Sequence, residues 1–166
     1  MKKCLLFFLV IISISGVYGQ TDSIQAPYKR FPSFPPVKLL KPDSATYFTK
    51  QDLLKKAPVM LMIFNPQCEH CQQETEAIIK HMNEFKKVQI VMAALAPFDS
   101  MLVFFKKYKL EQFENITVGK DIQTFLPAFY MLRNLPFFAF YNRKKELISV
   151  FEGALSIPQM LQAISK

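Results

Sequence analysis

Cysteine, histidine and long apolar runs are all scarce in this chain, and each shortage removes a class of protein. Three cysteines and two histidines in 166 residues leave only His70 and His81 to complete any zinc site begun by Cys68 and Cys71, so a structural metal is not expected. The same shortage rules out a disulfide framework, and a loop as short as the one from Cys68 to Cys71 staples almost nothing, because entropic stabilisation grows with the length closed. Past the first twenty residues no segment approaches the roughly 20 apolar residues of a membrane-spanning helix, so no permanent anchor is expected. There are no internal repeats. The length leaves room for one domain with one respectable core.

Charge of one sign is abundant but not concentrated. The formal net charge is +8, and the excess is spread over Lys29–Arg30, Lys55–Lys56, Lys86–Lys87, Lys106–Lys107 and Arg143–Lys145. Nucleic-acid binding wants a concentrated basic face interleaved with aromatics, so a solvated surface is the expectation and nucleic acid is not an expected partner.

What is present begins with Met1-Lys2-Lys3, an apolar run from Cys4 to Ile12 that continues weakly to Ile14, and small residues Val17 and Gly19 ahead of Gln20. A basic start, a short apolar middle and small residues three and one before the cut form a secretory signal pattern. Residues 1–19 are therefore read as a cleaved signal that removes Cys4. Export to the periplasm, or secretion, follows, and Cys68 and Cys71 remain as the pair of the mature chain. Residues 20–36, with Pro27, Pro32, Pro35 and Pro36, read as an extended leader or tether, and the folded domain is expected over residues 37–166.

Within that domain the periodicity changes from element to element. Thr49 and Asp52 form a capping-box pattern ahead of a short helix ending before Pro58. Val59 to Phe64 is a continuous apolar run of strand length, the habit of a central strand covered on both faces. From Glu69 to Phe85 the spacing becomes helical, with Ala77, Ile78, Met82 and Phe85 as its apolar stripe. Val88 to Ala96 reads as a second strand, Met101 to Tyr108 as a helix, and Asp121 as the cap of another helix interrupted at Pro127. Pro136 to Tyr141 and Glu146 to Phe151 form a hairpin around a polar turn, and Ser156 caps a last helix, Ile157 to Ile164. The order implies an α/β fold with helices on both faces of a central sheet.

The chemistry lies where the first central strand gives way to its helix. Cys68 at the helix amino end meets unpaired backbone N–H groups and the positive end of the dipole, which favour a thiolate, while Cys71 sits one turn inward. Cys68 is the expected attacking sulfur, and Cys71 the one that resolves a mixed disulfide. No cofactor is expected beyond the Cys68–Cys71 couple. His70 and Glu69 pull in opposite directions on the Cys68 thiolate, the imidazole stabilising it and the carboxylate opposing it.

The stretch Asn65-Pro66-Gln67-Cys68-Glu69-His70-Cys71-Gln72-Gln73-Glu74, with Leu135-Pro136 beyond it, resembles the thioredoxin superfamily and, within it, the TlpA/ResA-like exported disulfide reductases. The resemblance implies a central mixed sheet flanked by helices on both faces, with a central insertion around Lys109 to Met131. It places Pro136 at the cis-proline beside the cysteines, and Leu135, Pro136, Pro66 and Gln67 on the surface that meets a partner. It also marks Glu74 as a candidate proton relay, since on a helix that residue faces the same side as Cys71. Implied partners are protein thiols and disulfides and an upstream thiol electron donor, with electrons flowing in the reductase direction. This chain departs from the common pattern at Gln67, where an aromatic is usual, at Met62, where an acid is often buried, and at Phe137, where threonine often follows the proline.

Two rival readings remain. A peroxidase of the peroxiredoxin type would want threonine and proline where Asn65 and Leu61 stand. A metal-binding or chaperone module would hold copper or zinc on Cys68, Cys71 and a histidine.

Overall fold

A computed structural model describes residues 25–165, so the expected signal segment lies outside the described residues. In chain order the elements are α1 (Pro27–Arg30), β1 (Leu39–Leu40), β2 (Tyr47–Phe48), β3 (Val59–Phe64), α2 (Glu69–Lys80), β4 (Gln89–Ala94), α3 (Phe98–Lys107), β5 (Ile116–Asp121), α4 (Phe125–Tyr130), β6 (Phe137–Tyr141), β7 (Leu147–Glu152) and α5 (Ile157–Ile164). The strands form one mixed seven-stranded sheet in the order β2-β1-β5-β4-β3-β6-β7. β3, β4 and β5 run parallel, whereas β6 is antiparallel to β3 and the remaining pairs are antiparallel.

The apolar run of β3 is explained by cover on both faces. Successive strand side chains point to opposite sides, and all six residues of β3 are buried. Met60, Met62 and Phe64 join the core under α2, α3 and α5. Val59, Leu61 and Ile63 join a second core, closed by α4 and the segment before β1. The expected α/β architecture with helices on both faces is thus observed.

Several local expectations need correction. Thr49 and Asp52 do bond, through the Thr49 N–H and hydroxyl to the Asp52 carboxylate at 2.7 and 2.9 Å. They close only a three-residue 3₁₀ turn, Lys50–Asp52, and Leu53 is already extended. The helix expected from Asp121 is shorter, because Asp121 ends β5; its carboxylate accepts from the Leu126 N–H at 2.9 Å, and Pro127 falls in the first turn of α4, where a missing N–H costs no helical bond. The segment expected as a central insertion supplies β5 and α4. Gly119 in β5 permits the approach of β1, since a Cβ there would lie 2.7 Å from the Leu39 Cβ.

The tether expectation for residues 20–36 fails from Ala26 onward. Phe34 is fully buried and its ring lies 5.1 Å from that of Tyr141. The Phe34 N–H donates to the Lys145 carbonyl at 3.0 Å, and the Pro32 carbonyl accepts from Leu147 at 2.8 Å. Pro27 opens α1 where no donor is needed. Phe34 supplies the apolar area that holds the segment down.

Candidate active site

Cys68 lies just past the carboxyl end of β3. The loop between Phe64 and α2 is set by its own hydrogen bonds: the Asn65 side chain accepts from the Gln67 N–H at 2.9 Å, and the Asn65 carbonyl accepts from the Cys68 N–H at 3.0 Å. Gln72 reaches back to the Pro66 carbonyl at 2.9 Å. Cys68 is thereby held as the N-cap of α2, its sulfur accepting from the Cys71 N–H at 3.4 Å. It is half-buried, whereas Cys71 is buried, and both are free thiols.

The two sulfurs are inequivalent. Burial, with the Cys68 thiol beside it, pushes the Cys71 thiol up to about 12. Cys68 keeps an open side and the donors of a helix start. Across the site, its sulfur lies 3.9 Å from the Leu135 carbonyl. The Leu135–Pro136 peptide bond is cis, and this turn leads directly into β6, which pairs with β3. Pairing of two adjacent strands is what brings residues so distant in sequence to the same cysteine. Pro66 and Pro136 are buried and Leu135 half-buried, while Gln67, Glu69 and His70 are exposed.

Glu74 stands apart from the other candidates. It is a buried carboxyl on α2; one oxygen accepts from the Leu155 N–H at 2.9 Å and the other has no partner. Burial raises its pKa above the ordinary carboxylate value, while the Leu155 hydrogen bond and the nearby His70 act against that rise. Its structural bond to the start of α5 was not legible locally, since the two residues are 81 positions apart. Glu69 accepts a long 3.4 Å bond from Gln73, and His81 pairs with Glu84 at 2.7 Å.

Sequence reasoning read α3 as a helix but missed that it lines the site. Ser100, Val103, Phe104 and Lys107 line a groove of about 250 Å³ with Pro66, Gln67 and Gln72. Lys107 donates to the Gln72 side chain at 3.2 Å. The available signal was Val103, an apolar side chain on the outer face of an amphipathic helix and 67% exposed.

No known family model matches the sequence, and no curated protein matches it. Solved structures do. The chain aligns with MTB DsbF in its mixed oxidized and reduced forms at a TM-score of 0.66 and 21% identity, over 78% of this chain and 93% of that one. It aligns with a secreted Mycobacterium tuberculosis disulfide oxidoreductase homologous to E. coli DsbE at 0.64 and 22%, over 78% and 95%. The fold is thioredoxin-like. The pneumococcal exposed lipoprotein thioredoxin from Streptococcus pneumoniae matches at a TM-score of 0.61 and 20% identity, over 77% and 96%. On this thioredoxin-like frame, the Cys-x-x-Cys pair occupies the end of a central strand, and the cis-proline turn faces it.

Proposed function

We propose that the protein is an exported thiol-disulfide oxidoreductase that reduces disulfides of other proteins through Cys68 and Cys71. The observation that carries this reading is the pairing of a half-buried Cys68 at a helix start with a buried Cys71 whose proton is held up to about 12. Such a pair separates the attacking sulfur from the one kept in reserve.

The reaction balances in two steps. The Cys68 thiolate attacks one sulfur of the partner's disulfide; that S–S bond breaks as the mixed disulfide forms, and the partner's other sulfur leaves and takes a proton. Cys71 then loses its proton and attacks the Cys68 sulfur, and the partner's remaining sulfur leaves as a thiol. The partner gains two electrons, and the protein ends as the Cys68–Cys71 disulfide, reset by an upstream thiol donor. Glu74 is the candidate to take the Cys71 proton, its unpartnered oxygen supporting that role. Leu135 and Gln67, backed by the buried Pro136 and Pro66, form the surface on which the partner's chain lies, with the exposed Glu69 and His70 beside it.

Reduction of insulin disulfides with dithiothreitol as donor tests the activity: the wild type accelerates it and Cys68→Ser does not. Equal rates overturn the proposal. The direction is tested by the potential of the couple, expected near about −270 mV for a reductant and contradicted by a value near about −120 mV. Export is supported by the Met1–Gln20 pattern, and is tested by amino-terminal sequencing of protein recovered outside the cytoplasm, expected to start at Gln20.

Among the described residues, no group of three or more histidine, cysteine, aspartate or glutamate side chains converges on a metal-sized site. Nothing there favours the metal-binding reading over thiol exchange.

A further inference from the structure

Lysines that are dispersed in the sequence are gathered by the fold. β3 and β4 start, and β6 ends, at the same edge of the sheet. The loops leading into β3 and β4 and the β6–β7 turn therefore meet there. They carry Lys55, Lys56, Lys86, Lys87, Arg143 and Lys144, all exposed. Lys145 clasps two of these loops together, its ammonium donating to the Leu54 and Ala57 carbonyls at 2.7 and 2.5 Å. Between them runs an open groove of about 600 Å³ lined by Lys87, Arg143 and Lys144 over Pro58, Val88 and Ile164. The acids at this pole are Glu146, bonded to Asn142 at 2.7 Å, Glu84, paired with His81, Asp52, bonded to Thr49, and the exposed Glu111 and Glu114 in the loop leading into β5, so the basic side chains still outnumber them. Leu54, 53% exposed, projects from the same loop as Lys55 and Lys56.

We infer that this pole docks on an anionic phospholipid bilayer. Clustered lysine and arginine are drawn to the negative potential of such a surface, and an exposed leucine among them supplies a side chain for the headgroup boundary. A single-stranded nucleic acid fits less well, because among the described residues no aromatic lines the groove on which bases could stack. The orientation has a consequence. Cys68 lies beyond the other end of β3, about 20 Å away for six strand residues, so a docked molecule presents its cysteines away from the membrane. The inference stands independently of the thiol chemistry.

The test is co-sedimentation of the full chain at low salt with vesicles of phosphatidylcholine alone or an equal mixture of phosphatidylcholine and phosphatidylglycerol. The amino-terminal apolar run is common to every variant, so differences between variants read the pole. The wild type is expected to partition at least about tenfold better into the mixed vesicles, with the preference lost at high salt. Reversal at the pole (Lys86→Glu, Lys87→Glu, Arg143→Glu and Lys144→Glu together) is expected to lower that partition by at least about tenfold. A control with the same charge change away from the pole (Lys38→Glu, Lys106→Glu, Lys107→Glu and Arg133→Glu, all exposed) is expected to keep most of it. Circular dichroism establishes that each variant is folded. Equal binding to both vesicles, equal loss in the control, or binding to RNA without binding to the mixed vesicles overturns the inference.

Discussion

The backbone N–H of Cys71 donates to the sulfur of Cys68 at 3.4 Å, one turn inside the helix that Cys68 caps. The contact gives the two thiols different environments. One sulfur faces the Leu135 carbonyl at the edge of the site, and the other is enclosed by the core under α2.

Alkylation should therefore discriminate between them. In the reduced protein, iodoacetamide at mildly alkaline pH is expected to label Cys68 at least about a hundredfold faster than Cys71, because only the thiolate reacts and Cys71 holds its proton up to about 12. The rate at Cys71 should climb as the pH approaches that value. Peptide mapping after timed quenching reads both rates, and equal labelling contradicts the assignment.

Glu74 makes a pH-dependent contribution whose sign can be stated. Burial raises its folded pKa above the ordinary 4.5, so its contribution to stability is fully present below that pH and is lost as the pH rises through the raised value. Glu74→Gln keeps an acceptor for the Leu155 N–H and removes the charge. Its melting temperature is expected to gain on the wild type as the pH climbs from acid to neutral. Glu74→Ala strands the Leu155 donor and should cost about 1–3 kcal/mol at either pH. A Glu74→Gln protein that loses ground as the pH rises contradicts this reading.

Phe34 tests the packing of the amino-terminal segment. Its ring is fully buried against Tyr141, so Phe34→Ala should cost about 3–5 kcal/mol in denaturant unfolding. A change under about 1 kcal/mol would show that the segment is the tether its prolines suggest.

Legibility in the sequence followed the strength of local signals. β3 announced itself through six apolar residues and a terminating Asn65-Pro66, and α2 through its helical stripe. The β6–β7 hairpin and the Ser156 cap were equally plain. With the Cys-x-x-Cys pair between β3 and α2, that was enough to place Cys68 at the start of α2 and Cys71 one turn inside it. β5 was not legible, because Gly119, Lys120 and Asp121 give it the composition of a loop, and its strand state comes from pairing with β4 and β1. β1 and β2, two residues each, carry no periodicity to detect. Phe34 was hidden among prolines, and the bond from Glu74 to Leu155 depends on tertiary approach alone. Lysine pairs that seemed scattered converge because parallel strands bring their starting loops to one edge.

The central claim is that Cys68 forms the mixed disulfide and Cys71 resolves it. Incubation of reduced Cys71→Ser and Cys68→Ser proteins with a peptide disulfide, followed by intact-mass analysis, tests it most directly. The account predicts a long-lived peptide adduct on Cys68 in Cys71→Ser, released by dithiothreitol, and no comparable adduct in Cys68→Ser. An adduct that forms on Cys71 as readily, or on neither protein, would contradict it.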